Sequence, residues 1–360
     1  MKKRKKILVA PLNWGLGHAT RCIPIIRELL QQDADVVIAA DERPLALLEK
    51  EFPSLQCFRF EGHAIQYPEN GNLLQKVVEQ VPHIVTGYFR EQKVLHKCID
   101  ELKIDAVISD GRYGVFSRKV PSIFVTHQIN ILLHSTFRWS EFFLYTLNKA
   151  FIKNFNECWI PDYDGESNLS GNLAHQFPSP QNAFFVGPLS RFKKISNVEK
   201  KYDVLAVLSG PEPQRTLLEK ILIQQLQPTQ LRALIVRGTP EQTESQSITE
   251  YLSLVPSMCA DELNTTMLAS EHIIARSGYS TVMDIAALGK KAIFIPTPGQ
   301  TEQEYLATNF KMKKIFYSIS QNEFDLTHAL DETKKYSGTI SVPDSKNIVQ
   351  QRITNLLTHL

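Results

Sequence analysis

The stretch Ala275-Arg276-Ser277-Gly278-Tyr279-Ser280-Thr281-Val282-Met283-Asp284-Ile285-Ala286-Ala287-Leu288-Gly289 passes from an aliphatic run through a turn of small residues into a helical pattern that stops at glycine. Strand, tight turn and helix in that order open a βαβ unit. The run before it, 272–275, and the run after it, 292–295, have the length of short buried strands. Working outward, similar runs stand at 7–10, 36–39, 106–109, 122–126, 183–186, 204–208 and 233–236, separated by longer helical patterns. This alternation predicts an α/β chain with parallel sheets.

A chain of 360 residues suggests two domains. With 43% hydrophobic and 22% charged residues, disordered, collagen-like and solenoid classes are excluded. Residues 161–188 are rich in Pro, Gly, Asn and Ser, which puts the junction near Gly187-Pro188 and the domains at 1–187 and 188–342. Ser337-Gly338 and Pro343 precede a last amphipathic segment within 343–360 that has no strand of its own to cover. The net charge is +2, but Lys2, Lys3, Arg4, Lys5 and Lys6 leave 35 basic against 38 acidic residues in the remainder, which argues against a nucleic-acid partner. The apolar stretch 7–12 is interrupted by Pro11 and is too short for a secretory signal. Five scattered cysteines suit reduced thiols in the cytoplasm, with no zinc site.

Three constellations follow strand ends. The first is Pro11-Leu12-Asn13-Trp14-Gly15-Leu16-Gly17-His18-Ala19-Thr20-Arg21. Its glycines let backbone amides approach a ligand at a helix N-terminus. Asp41 stands where a dinucleotide fold keeps its ribose acid, but Thr20 replaces the third small residue that fold needs. His18 lies at the carboxyl end of the sheet, where open α/β folds bind ligands, and is either a general base or a residue that caps or packs its helix. Asp110, in Asp110-Gly111-Arg112, would face it and either orients the imidazole or caps a turn. In the second constellation, amides around 277–281 suit a phosphate. Asp284 suits ribose hydroxyls, although Thr281-x-x-Asp284 also has capping-box spacing. The third, 294–304, crowds polar side chains suited to sugar hydroxyls, and Thr301-x-x-Glu304 reads equally as a capping box. Leu208-Ser209-Gly210-Pro211 is a smaller echo, and the triplets Asp33-Ala34-Asp35 and Asp162-Tyr163-Asp164 read as turns. Segment 137–153 is aromatic and moderately basic, and is either core-packed or, with the N-terminal lysines, a surface for anionic lipid.

These residues resemble the GT-B glycosyltransferases, most closely the family 28-like branch that includes the peptidoglycan lipid-intermediate N-acetylglucosaminyltransferase. Gly15-Leu16-Gly17-His18 is similar to that branch's glycine-rich loop, and Val125-Thr126-His127-Gln128-Ile129-Asn130 to its His-Glu-Gln-Asn segment. The stretch from Arg276-Ser277-Gly278 through Thr281, Asp284 and Gly289 to Pro296 and Gln303-Glu304 follows the donor-binding signature in order and spacing. The resemblance implies two Rossmann-like domains facing a cleft and a C-terminal helix crossing back to the N-terminal domain. It further implies a donor held by Ser209, Gly210, Cys259, Ala260, Arg276, Ser277, Gly278, Thr281, Asp284 and Gln303. Gly15, Gly17, Arg112 and His127 would meet the acceptor. Two departures stand out: Ser209-Gly210-Pro211-Glu212 replaces a richer glycine loop, and the arginine after the junction proline is displaced to Arg191.

The resulting expectation is an inverting, metal-independent glycosyltransferase without a resident cofactor, with His18 as base and Asp110 as its aid. A nucleotide-sugar donor, UDP-linked as the resemblance implies, would pass its sugar to a hydroxyl of a glycan or lipid-linked acceptor. A nucleotide-sugar 2-epimerase or hydrolase on the same fold, and a non-catalytic nucleotide-sugar sensor, are the alternatives. The location expected is cytoplasmic, peripheral to the inner face of the membrane.

Overall fold

The computed structural model describes residues 4–61, 73–133, 135–338 and 346–360. Lys2, Lys3, Pro343 and the 342/343 boundary lie outside them. The first sheet comprises β1 (Lys6–Pro11), β2 (Asp35–Ala40), β3 (Gln56–Arg59), β4 (Ala106–Asp110), β5 (Ser122–Val125), β6 (Glu157–Ile160) and β7 (Ala183–Phe185). They run in the order β3-β2-β1-β4-β5-β6-β7, with all pairs parallel. Among them lie α1 (Gly17–Gln31), α2 (Glu42–Glu51), α3 (Leu73–Leu102), α4 (Glu141–Ile152) and α5 (Asn172–His175).

The second sheet comprises β8 (Tyr202–Val207), β9 (Ala233–Val236), β10 (Gln246–Ser247), β11 (Leu252–Val255), β12 (Ser270–Ala275), β13 (Ala292–Phe294) and β14 (Tyr317–Ser318). Its order is β10-β11-β9-β8-β12-β13-β14, parallel except for the short β10–β11 pair. It carries α6 (Gln214–Leu226), α7 (Ala260–Leu268), α8 (Tyr279–Leu288), α9 (Thr301–Met312) and α10 (Leu326–Glu332), and α11 (Lys346–His359) ends the chain.

Parallel strands covered on both faces read as continuous aliphatic runs, and residues 7–10 of β1 are all fully buried. The runs did not announce β3, at an edge with its outer residues exposed, the four-residue strands β6 and β11 inside their sheets, or β10 and β14 with two residues each. The long helix α3 also went unannounced, although it supplies Leu95 and Ile99 to the core under β1 and β2.

Helix α1 is buried nearly all round, through Ala19, Thr20, Arg21, Cys22, Ile23, Ile25, Ile26 and Leu29. A helix with no wet face is a core element, and here the core cluster joins α1 to α8 of the second domain and to α11. Helix α11 crosses back as the resemblance implies. Gln32 Nε2 donates to Gln350 O at 3.1 Å, Thr354 Oγ1 donates to Gln32 Oε1 at 2.9 Å, and the Arg352 guanidinium lies 3.5 Å over the Phe184 ring. Ile353, fully buried, enters the core beside α1. Ile353→Ala therefore removes packing from the N-terminal domain and lowers global stability by about 2–5 kcal/mol, read from the urea midpoint.

Candidate active site

Register brings the first pair together. Pro11 on β1 lies opposite Asp110 on β4, and Leu12 N donates to Asp110 O at 2.8 Å, so the ends of the two strands are level. One residue into α1, His18 then turns its Nδ1 to within 2.6 Å of Asp110 Oδ1. Gly111 must be glycine twice over: its φ is +74°, and a Cβ there would lie 2.8 Å from His18 Cε1.

Asp110 is fully buried and also pairs bidentately with Arg21, whose Nε donates to Oδ2 at 2.5 Å while Nη2 donates to Oδ1. Burial alone would raise its carboxyl, but Arg21 and His18 outweigh this and hold it below the usual range. Burial, then the charge of Arg21, lowers His18 below 6.5, with Asp110 pulling partly back. His18 is accordingly neutral near pH 7. Nδ1 lies 2.6 Å from Asp110 Oδ1 and 2.8 Å from Arg21 Nη2; the carboxylate can only accept, and a proton on Nδ1 answers that shorter contact and leaves Nε2 as the basic nitrogen.

The arrangement continues into the second domain. Arg21 Nη1 donates to His127 Nδ1 at 2.8 Å, which puts the His127 proton on Nε2, 3.2 Å from Glu302 Oε1. Glu302 also accepts from Gln128 Nε2 and, at 3.3 Å, from Tyr279 N in the first turn of α8. Burial would raise Glu302, yet His127, the Tyr279 amide and Arg21 bring it down to about 2. The His127 and Tyr279 rings stack in parallel at 4.4 Å, Tyr279 Oη donates to Pro161 O at 2.8 Å, and Ser280 Oγ donates to Gly17 O at 2.9 Å. His127 thus sits in the interdomain contact rather than facing an open acceptor site, while Gly15 is exposed on the loop before α1.

On the other side of the cleft, Asp284 is one turn into α8. Its Oδ1 accepts from Ser190 Oγ at 2.7 Å, and its Oδ2 lies 3.7 Å from Arg191 Nε. Burial raises its carboxyl to about 6 against the pull of Arg191 and Ser190. The cap of α8 is Gly278, so the capping-box reading of Thr281 and Asp284 is overturned, with Thr281 half-buried in the first turn. A Cβ at Gly278 would meet nothing within 4 Å, which leaves room before the turn. Cys259 caps α7 and Ala260 N donates to Glu51 Oε2 at 3.2 Å. Gly210 adopts φ +100° beside half-buried Ser209.

Several side chains are otherwise employed. Arg112, read as an acceptor contact, is buried: Nε donates to Glu91 Oε1 at 2.8 Å, and the remaining nitrogens donate to Phe60 O and Glu61 O, tying α3 to the end of β4. Arg276, read as a donor contact, is fully buried and donates to Ile295 O, Pro296 O, Gln214 O and Gln321 Oε1; burial lowers it to about 10. Ser277 Oγ donates to Gln303 O at 2.7 Å, so only its backbone is left for a ligand. Gln303 closes its own loop, accepting from Thr297 N at 2.8 Å and donating to Gln300 Oε1 at 2.5 Å. Glu304 accepts from Gly299 N at 2.9 Å, but the cap of α9 is Gln300 and Thr301 is its first helical residue, so the capping-box reading of Thr301 and Glu304 is overturned. Asp41 caps α2 and pairs with Arg59, outside any nucleotide site.

Two Rossmann-like domains whose strand ends face one cleft define the GT-B glycosyltransferase fold. Residues 204–351 match the model of the glycosyltransferase family 28 C-terminal domain. An uncharacterized glycosyltransferase of Methanosarcina acetivorans is 26% identical over 84% of this chain and 80% of its own length. The UDP-N-acetylglucosamine--N-acetylmuramyl-(pentapeptide) pyrophosphoryl-undecaprenol N-acetylglucosamine transferase of Haemophilus influenzae is 25% identical over 86% of this chain and 83% of its own. The solved glycosyltransferase of kitacinnamycin superposes with a TM-score of 0.60 at 13% identity, covering 99% of this chain and 96% of that one. The chain is thus a glycosyltransferase with the GT-B fold, whose residues 204–351 match the family 28 C-terminal domain.

Sequence reading passed over Arg21, Glu302, Tyr279, Glu51 and Ser190. Arg21 had a signal, since a residue three after His18 shares its helix face; the others meet their partners only through tertiary folding. Removing the anion from Asp110 leaves the Arg21 charge buried without its main partner. Asp110→Asn should therefore cost about 3–5 kcal/mol of stability, measured by urea unfolding at pH 7.

Proposed function

We propose that this enzyme moves a sugar, with inversion and without a metal, from a UDP-linked donor to a hydroxyl of a glycan or lipid-linked acceptor. The observation that carries the reading is the His18–Asp110 contact at the carboxyl end of β1, with Nε2 left as base. The acceptor hydroxyl gives its proton to Nε2 as its oxygen attacks the anomeric carbon, and the bond to the diphosphate breaks on the opposite face. The electron pair leaves with the diphosphate, which amides of the turn before α8 and of the Ser209-Gly210 loop would stabilise. Asp110 balances the imidazolium formed. Asp284 would take the ribose hydroxyls by exchanging its Ser190 partner. The Asp162 carboxylate is already taken by the amides of Tyr163, Leu169 and Ser170, which supports reading that triplet as a turn.

The named acceptor of the Haemophilus relative is a lipid-linked intermediate, and the surface of α4 suits such a substrate. Trp139 is 83% exposed, and Phe142, Phe143, Leu147 and Phe151 line its outer face while Tyr145, Asn148 and Ile152 are buried. An apolar stripe of this kind marks an interaction surface. Arg138, Lys149 and Lys153 flank it; Lys5 instead donates to Leu360 O at 2.5 Å and Lys6 opens β1. No helix among the described residues is long and apolar enough to cross a membrane. Peripheral attachment at the cytoplasmic face is thus part of the proposal.

His18→Ala should lower the single-turnover rate about 10²- to 10⁴-fold while donor affinity barely moves. In the parental enzyme, kcat/KM should fall on the acid side through a pKa below 6.5, because protonation of Nε2 removes the base. A rate above about a third of the parental value would exclude this role. For the membrane surface, Phe143→Ser with Leu147→Ser should weaken partition onto anionic vesicles at least about 10-fold, since each buried side chain contributes about 1.5–3 kcal/mol. Cosedimentation equal to the parental protein would remove α4 from the surface.

A further inference from the structure

Two helix N-termini assigned to the donor already carry protein anions. At α8, Tyr279 N donates to Glu302 Oε1 at 3.3 Å. At α7, Ala260 N donates to Glu51 Oε2 at 3.2 Å. Neither carboxylate belongs to the helix it caps, since Glu51 ends α2 in the N-terminal domain and Glu302 opens α9. Both also bind across the cleft or at its wall: Glu302 reaches His127 and Gln128 of the N-terminal domain, and Glu51 takes Arg27 Nη2 at 2.5 Å. Arg27 in turn lies 3.4 Å from Asp261 of α7. The Glu51 contact therefore ties one domain to the other through an amide that a nucleotide needs, whereas Glu302 occupies such an amide of its own domain and ties the domains through His127 and Gln128.

We propose that Glu51 and Glu302 hold the nucleotide-free cleft shut by standing in for the donor, one where the base would meet α7 and the other where the diphosphate would meet α8. The inference rests on the donor assignment above. One N–H cannot serve a protein carboxylate and a nucleotide acceptor together, and at α8 the carboxylate and the diphosphate also repel each other. A nucleoside diphosphate then binds only after the domains part, which takes Glu51 from α7, and after Glu302, freed from His127 and Gln128, swings off the α8 amide of its own domain. Its apparent affinity is reduced by the fraction of molecules that are open. The sugar-transfer step would follow when the domains close again over the donor in place of the carboxylates.

Glutamine keeps the size of glutamate but removes the charge that holds these amides. The full-length chain should be compared with Glu51→Gln, Glu302→Gln and the double variant, using calorimetric titration with UDP and small-angle scattering without nucleotide. Glu241→Gln is the control, because the Arg43–Glu241 pair at 2.9 Å also bridges the domains but occupies no amide. Each single variant should bind UDP about 10-fold more tightly, and the nucleotide-free radius of gyration should increase, whereas the control changes neither. Equal or weaker UDP binding in both single variants, with an unchanged radius of gyration, overturns the proposal. A radius that increases in the variants while no chain binds UDP overturns the UDP assignment and leaves the carboxylate closure standing.

Discussion

Asp110 is a carboxylate with no access to water, and the rest of the site depends on how its charge is answered. Arg21 answers it with a bidentate pair and His18 with a single short hydrogen bond. A buried anion is tolerated only where several donors converge on it, so α1 cannot shift along β4 without uncovering it. The same convergence decides the imidazole tautomer. It also commits Arg21, whose remaining nitrogen faces His127 and through it Glu302 on the other domain. The base and the domain contact are thus two ends of one line of alternating charge.

That line explains the buried character of α1. A helix that serves only its own sheet has a wet outer face; α1 has its sheet on one side and α8 and α11 on others. Gly17 belongs to this packing as well as to the ligand loop, because a Cβ there would come within 3.0 Å of Ser280 Oγ. The residues that look like a phosphate loop in isolation are therefore also a seat for the second domain.

The alternation of strands and helices was legible because parallel strands buried on both faces are written as unbroken aliphatic runs, and the His18–Asp110 pair was legible because His18 follows the end of β1 while Asp110 ends the neighbouring β4. Arg112 and Arg276 were misread for one reason: each stands in a motif position at a strand end, but its long side chain turns inward to carbonyls of neighbouring loops. Nothing in a linear sequence tells which way such a side chain turns. Glu51 was invisible for a different reason, since its partner amide lies 209 residues away. Gln303 and Ser277 matched a signature while their polar atoms were taken inside the protein, Ser277 Oγ by Gln303 O and the Gln303 amide by Thr297 N and Gln300 Oε1.

The return of α11 bears on how the molecule is made. A ribosome delivers β1 to β7 first, yet Ile353, which packs against α1, emerges only after the whole second sheet. The second domain lies wholly between those two events and has a sheet of its own. During synthesis the first domain consequently waits for the second, and its α1 remains short of one packing partner until α11 has emerged.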